Sequence, residues 1–142
     1  MITFTLDTKD FQVYVDKLTK YDKSDIHKGF GFIIENKVVE NIEAMGLVDS
    51  GDFKNSVNHY DYDNKRVIVQ DGVYYGKYLE FGTRPHGPKT AKALHWITKG
   101  GKHVFAKRVK GIREYAPFRK GLINSIKAME DYALKKILAV AK

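Results

Sequence analysis

The chain has 142 residues, 43% of them apolar, with one Trp, nine Tyr and eight Phe, which is enough to bury the core of one domain. It has no cysteine, which excludes disulfides, thiol catalysis and Cys-type zinc sites, and no apolar run approaches the ~20 residues of a membrane-spanning helix. Its net charge of +8 is uneven: residues 1–60 carry 7 basic and 10 acidic groups, residues 81–142 carry 15 and 3. A molecule with one acidic and one strongly basic end suits head-to-tail stacking, or binding to phosphates or an acidic protein face.

Met1 to Asp7 has neither a basic start nor a small-residue cleavage site, so no signal peptide is expected. Ile2 to Leu6 alternates as a short strand. Asp7 or Thr8 can cap an amphipathic helix over roughly Lys9 to Lys20, with Phe11, Tyr14, Val15 and Leu18 at helical spacing. Ile26, Phe30, Ile33, Ile34, Val38, Ile42 and Met45 mark a long second helix ending near Gly46. Gly29 and Gly31 weaken its first turns by about 1 kcal/mol each relative to Ala, and imply close packing or a kink there.

Asp49 or Ser50 can cap a single helical turn. Val57 to Tyr60 and Arg66 to Gln70 read as two strands of a hairpin with Asp61 to Lys65 as its turn. Val67 and Val69 face one way, Ile68 and Gln70 the other. Tyr74 to Phe81 has apolar residues at 74, 75, 78, 79 and 81, spacing for one to two helical turns. Pro85 and Pro88 prevent its continuation. Leu94 to Ile97 and His103 to Ala106 flank Lys99-Gly100-Gly101 as a second hairpin. Pro117 suits a first helical position. Phe118, Leu122, Ile126, Met129, Ala133, Ile137 and Val140 continue a terminal helix, with Lys120, Lys127, Glu130 and Lys135 opposite. The expectation is a single α+β domain over 1–142. A mostly antiparallel sheet of two hairpins packs against a long helix in the N-terminal half and a long C-terminal helix. A basic loop or hairpin excursion at about 84–116 is expected to be mobile.

No constellation for catalysis emerges. His86, His95 and His103 lack the convergent ligands and backing carboxylates of a metal site. Asp61 and Asp63 resemble half of a calcium loop but lack the Gly and the distant Glu, so they read as turn residues. Ser50 and Ser56 have no His-acid partners. Gly29-Phe30-Gly31 lacks the parts of a phosphate loop. No enzyme activity, metal or cofactor is expected. Glu80, among aromatics, reads as a buried or half-buried structural acid meeting Arg84, Lys77 or a neighbouring subunit. Arg84 to Lys120 holds 11 basic residues and one acid, Glu114. Trp96, Phe105 and Tyr115 among these cations allow base stacking beside phosphate contacts, so a sequence-independent nucleic-acid-binding module is the alternative reading.

Three segments carry a resemblance. They are Ser50-Gly51-Asp52-Phe53-Lys54-Asn55-Ser56, then Tyr75-Gly76-Lys77-Tyr78-Leu79-Glu80-Phe81-Gly82-Thr83, then Ala116-Pro117-Phe118-Arg119. In this order, after a long helix, they resemble the neck and tail-completion proteins of long-tailed bacteriophages, the head–tail joining family, with its "TGxLxxS", "YAxYxEFGT" and "PFLxxA" segments. This chain departs from the pattern at Ser50, Phe53, Gly76 and Arg119. The resemblance implies a non-enzymatic virion component, present in the host cytoplasm before assembly. It would form a homo-oligomeric ring around the DNA channel, be monomeric in isolation, and contact portal-side and tail-side partners, with double-stranded DNA nearby and no membrane. The interaction residues expected on this reading are Tyr75, Tyr78, Glu80, Phe81, Gly82, Arg84, Trp96, Lys99, Lys102, Lys107, Arg108 and Arg113.

Overall fold

A computed structural model describes residues 1–7, 9, 24–63 and 65–140. The helix expected over Lys9 to Lys20 lies outside these residues apart from Lys9, whose N–H donates to Asp7 Oδ1 at 3.0 Å. Asn64 of the first hairpin turn also lies outside them.

In chain order the elements are β1 (Thr3–Asp7), α1 (Ser24–Ala44), α2 (Asp52–Ser56), β2 (Asn58–Asp63), β3 (Arg66–Gln70), α3 (Gly76–Phe81), β4 (Leu94–Ile97), β5 (His103–Ala106) and α4 (Pro117–Val140). The fold is α+β, with the two long helices expected. The two hairpins do not share a sheet. β2 and β3 join β1 in an antiparallel sheet of order β1-β3-β2, whereas β4 and β5 pair only with each other. β3 is central, and Val67, Ile68 and Val69 are all buried, so both its faces are covered. β2 runs further than its sequence suggested, through Asp61 to Asp63, with a register shift between those two. Asp63 then closes a tighter turn by accepting the Lys65 N–H at 2.8 Å and the Arg66 Nε–H at 2.8 Å.

α1 lies between the sheet and α4 and supplies the core stripe Ile26, Phe30, Ile34, Val38 and Ile42. It stops where its sequence says it should. The Gly46 N–H donates to the Glu43 carbonyl and the Leu47 N–H to the Ile42 carbonyl. Gly46 takes a positive φ of 66° and Leu47 returns to the core beside Ile42. Gly29 and Gly31 serve close packing. A Cβ on Gly29 would strike the Tyr132 ring of α4, and one on Gly31 would lie 2.5 Å from the His59 ring and 2.6 Å from Val67. Beside Gly31, His59 Nδ1 and Glu35 Oε2 are hydrogen-bonded at 2.6 Å, tying α1 to β2.

α4 runs antiparallel to α1. Tyr132 meets Asp25 and Phe30 at one end, and Asn41 Nδ2 donates to the Pro117 carbonyl at the other. The buried face of α4 is the expected one at Phe118, Met129 and Ala133, with Leu122 and Ile137 partly buried, but not at Ile126. Ser125 is fully buried, its Oγ–H donating to the Leu122 carbonyl at 2.7 Å, while Ile126 is 48% exposed. The serine fits because its hydroxyl is satisfied within its own helix, which leaves no unmet polar group in the core. The helices are in close contact at Gly121, where a Cβ would lie 2.6 Å from Val38 Cγ2 and 3.0 Å from the Val38 N and Cα. Val38 is fully buried and β-branched, so neither its side chain nor its backbone can yield. Gly121→Ala therefore loses more by overpacking than the roughly 1 kcal/mol it gains in helix propensity. A net destabilisation of about 1–3 kcal/mol is expected in urea denaturation; equal or greater stability would show that the crossing is loose.

Candidate interaction site

Residues 82–116 leave the body as an arm and return to it. Its base is closed by hydrogen bonds. The Thr83 N–H donates to the Ile112 carbonyl at 2.8 Å, and the Ile112 N–H donates to Thr83 Oγ1 at 2.8 Å. His86 and Val109 exchange both backbone bonds, at 3.1 and 2.9 Å. Two glycines let the strands approach. Gly82 has φ 69° and a Cβ there would lie 2.9 Å from the Ile112 carbonyl oxygen. Gly111 has φ 84° and a Cβ there would collide with the Thr83 carbonyl. Beside this base, Tyr78, Thr83, His86, Val109, Lys110, Gly111 and Ile112 line an open cleft of about 640 Å³.

The arm's outer end is the hairpin β4–β5, in which Trp96 opposes Val104 and His95 opposes Phe105. Neither of its faces is buried: Trp96 is 42% exposed, Ile97 57% and Phe105 68%. His95 stacks on Phe105 with centroids 4.5 Å apart and shares a 2.8 Å hydrogen bond with His103. Thr98 and Lys102 close the turn: the Thr98 N–H donates to the Lys102 carbonyl, and the Lys102 N–H to Thr98 Oγ1. Among the described residues, no acid lies within ion-pairing distance of Arg84, Lys102, Lys107 or Arg108. Lys99 pairs with Asp49 of the body, and the Arg113 guanidinium lies 4.4 Å over the Tyr115 ring. The arm's charge is therefore largely unneutralised within the chain.

Glu80 is where the structure departs most from the sequence reading. It meets neither Arg84 nor Lys77. Its carboxylate is fully buried and caps α4: Oε2 accepts the Phe118 N–H at 2.9 Å and Oε1 the Arg119 N–H at 3.1 Å. Those are the second and third residues of a helix beginning at Pro117, the amides that an N-cap side chain normally satisfies. The residue in the cap position, Ala116, has no side-chain acceptor and sits at φ 55°. Burial pushes the Glu80 carboxyl above the usual carboxylate range, while the two amides and the Arg119 guanidinium, 3.9 Å away, pull it back. The Tyr115 N–H also donates to the Leu79 carbonyl at 3.0 Å.

Asp71 is a second buried carboxylate, one to which the sequence reading gave no role. Its Oδ2 accepts the Ile2 N–H at 3.0 Å and its Oδ1 the Val73 N–H at 3.1 Å, and Gly76 packs against it so closely that a Cβ would lie 2.6 Å from Oδ2. The signal available was an acid directly after an apolar strand, which describes many turns. Tyr75 is a packing residue, its ring 6.1 Å from Phe53, which in turn lies 6.4 Å from Phe118. The three segments singled out in the sequence thus converge: Phe53 of the first touches Tyr75 of the second and Phe118 of the third, and Glu80 caps the third. Tyr78 borders the cleft and Phe81 is exposed. Trp96, Lys99 and Lys102 gather on the hairpin and its turn, with Lys107 and Arg108 just beyond it.

Among the described residues no three metal-ligating side chains converge, and no helix is long and apolar enough to cross a membrane. In comparisons with family models, curated proteins and solved structures, nothing matched this chain.

Removing the cap tests the assignment of Glu80. Glu80→Ala removes the acceptor of the buried Phe118 amide and of the part-buried Arg119 amide and is expected to cost about 2–4 kcal/mol in chemical denaturation. Glu80→Gln keeps one acceptor oxygen and should recover part of that loss. Amide exchange at Phe118 and Arg119 should accelerate in both variants. Unchanged exchange there would contradict the capping role. Gly111→Ala, by contrast, is expected to speed exchange at Thr83 and Val109 while leaving those two helix amides protected.

Proposed function

We propose that this protein is a structural virion component joining the head and tail of a long-tailed bacteriophage, in which the arm of each subunit reaches an adjacent one to close a ring around the DNA channel. The observation that carries the reading is the arm itself. It is fixed to the body at its base, open on both faces of its hairpin, and rich in cations of which, among the described residues, only Lys99 meets an acid of its own chain. Such an element is built to lie against something else. The meeting of the three family-like segments at one packed junction supports the same reading, because it gives their shared occurrence a physical reason. Ring closure makes the contacts multivalent, so each contact can be weak and the subunit monomeric before assembly. The acidic N-terminal half supplies the surface of opposite sign that a head-to-tail ring requires.

A second reading is favoured by one feature. Trp96 and Phe105 are exposed beside free cations, the combination that stacks bases and holds phosphates. Light scattering after gel filtration separates the two. The parent chain is compared, across concentration and with or without duplex DNA, with a variant whose residues 88–106 are replaced by a short Gly-Ser link. The expected result is a discrete oligomer at high concentration that the arm-less variant does not form and that DNA does not alter. An oligomer indifferent to loss of the arm would remove the proposed role. A shift seen only with DNA at about 50 mM salt and abolished at higher salt would transfer the function to nucleic-acid binding.

A further inference from the structure

Two surfaces of this molecule complement each other and already touch at one point. The first is the hairpin β4–β5, with Trp96, Ile97 and Phe105 exposed and Lys99 and Lys102 at its turn. The second is an open cleft of about 540 Å³ between the loop following α1 and the helix α3. Val48, Phe53, Tyr75 and Leu79 give it apolar walls, and Asp49 and Asp52 line it with negative charge. Within one chain Lys99 Nζ pairs with Asp49 Oδ1, and both side chains remain 76% exposed. This contact places the charges correctly but covers neither the hairpin's apolar side chains nor the cleft.

We propose that the cleft is the receptor for the hairpin of a second copy of this chain, with Lys99 of one copy seated on Asp49 of the next. The inference rests on the ring reading above and names its interface. An exposed ion pair is a weak tie, and exchanging its partner for the identical residue of a neighbour leaves that contact unchanged. The exchange adds burial of the hairpin's aromatic and aliphatic side chains against the apolar walls, which drives association. The chain has the means to swing. Among the described residues, none of 88–93 hydrogen-bonds to the body, so the hairpin is joined to the fixed base through an untethered segment. Hairpin and cleft are different patches, so a one-way contact passes from copy to copy around a ring, whereas reciprocal exchange between two copies would stop at a dimer.

The absence of cysteine allows a direct test. Asp49→Cys and Lys99→Cys, two exposed substitutions, are made singly and together in the full chain and treated with a short bismaleimide at a concentration where the parent oligomerises. The double variant is expected to give a ladder of covalent multimers on a denaturing gel. An equimolar mixture of the single variants should give a covalent dimer that neither gives alone. Oligomers that yield only an internal cross-link and no ladder would overturn the arm-to-cleft contact while leaving the ring intact. A parent chain monomeric at every concentration by light scattering would remove the self-association on which both proposals depend.

Discussion

One buried carboxylate holds the arm-bearing half of this protein together. Glu80 belongs to a six-residue helix, yet its two oxygens satisfy the first free amides of a different and much longer helix. A buried amide left without an acceptor costs about 1–3 kcal/mol, so the position of α3 and the start of α4 are fixed together. The helix terminus offers partial positive charge to an acid that burial would otherwise make costly to ionise, and Arg119 adds a full charge at the rim. The arm begins two residues after Glu80 and ends just before Pro117. Both of its roots are therefore clamped by the same carboxylate.

Asp71 extends this logic to the start of the chain. It anchors the Ile2 amide beside β1 and the Val73 amide ahead of α3, and Gly76 lies against it without a side chain. α3 is thus pinned at its first residue by one buried acid and near its last by its own. Phe53, Tyr75 and Phe118 fill the space between α2, α3 and α4. A short helix of this length has little stability of its own. Here it is held as a wedge by the two buried acids and the aromatic rings around it.

The elements with strong local signals were legible in the sequence. α1 showed its stripe from Ile26 to Ile42 and its glycine stop at Gly46, α4 its Pro117 start, both hairpins their strand pairs and the second hairpin its turn. The aromatic turn around Tyr74 to Phe81 was legible as a short helix. Facts set by distant partners were not. Glu80 reaches amides 38 and 39 positions away, and nothing near it in sequence names them. Ser125 looked polar and Ile126 apolar, so periodicity put the isoleucine inside. The tertiary fit decided otherwise, because a serine hydroxyl satisfied by its own helix can be buried in a narrow gap. The separation of the two hairpins into different sheets was equally hidden, since each strand pattern is local and the choice of neighbour is not. Of the candidate interaction residues, Trp96 and the arm's cations lie exposed on the surface, whereas Tyr75 and Glu80 are internal supports.

The division of labour that results has a physical logic. An isolated two-stranded hairpin is marginally stable in water, and this one buries neither face against its own body. The fold compensates by fixing the arm's base through paired backbone bonds and close glycine contacts, so that little order remains to be imposed when the hairpin is covered. A pre-ordered arm binds with a smaller entropic cost than a loop that must fold on its partner. The cations contribute in a different way. Apart from the exposed Lys99–Asp49 pair, Arg84, Lys102, Lys107 and Arg108 have no acid within ion-pairing distance among the described residues, so few pairs would need to break before an oppositely charged surface approached the hairpin. Fixed root, uncovered hairpin and largely unneutralised charge thus describe an arm whose apolar and charged surfaces are left incomplete by the described residues of its own chain.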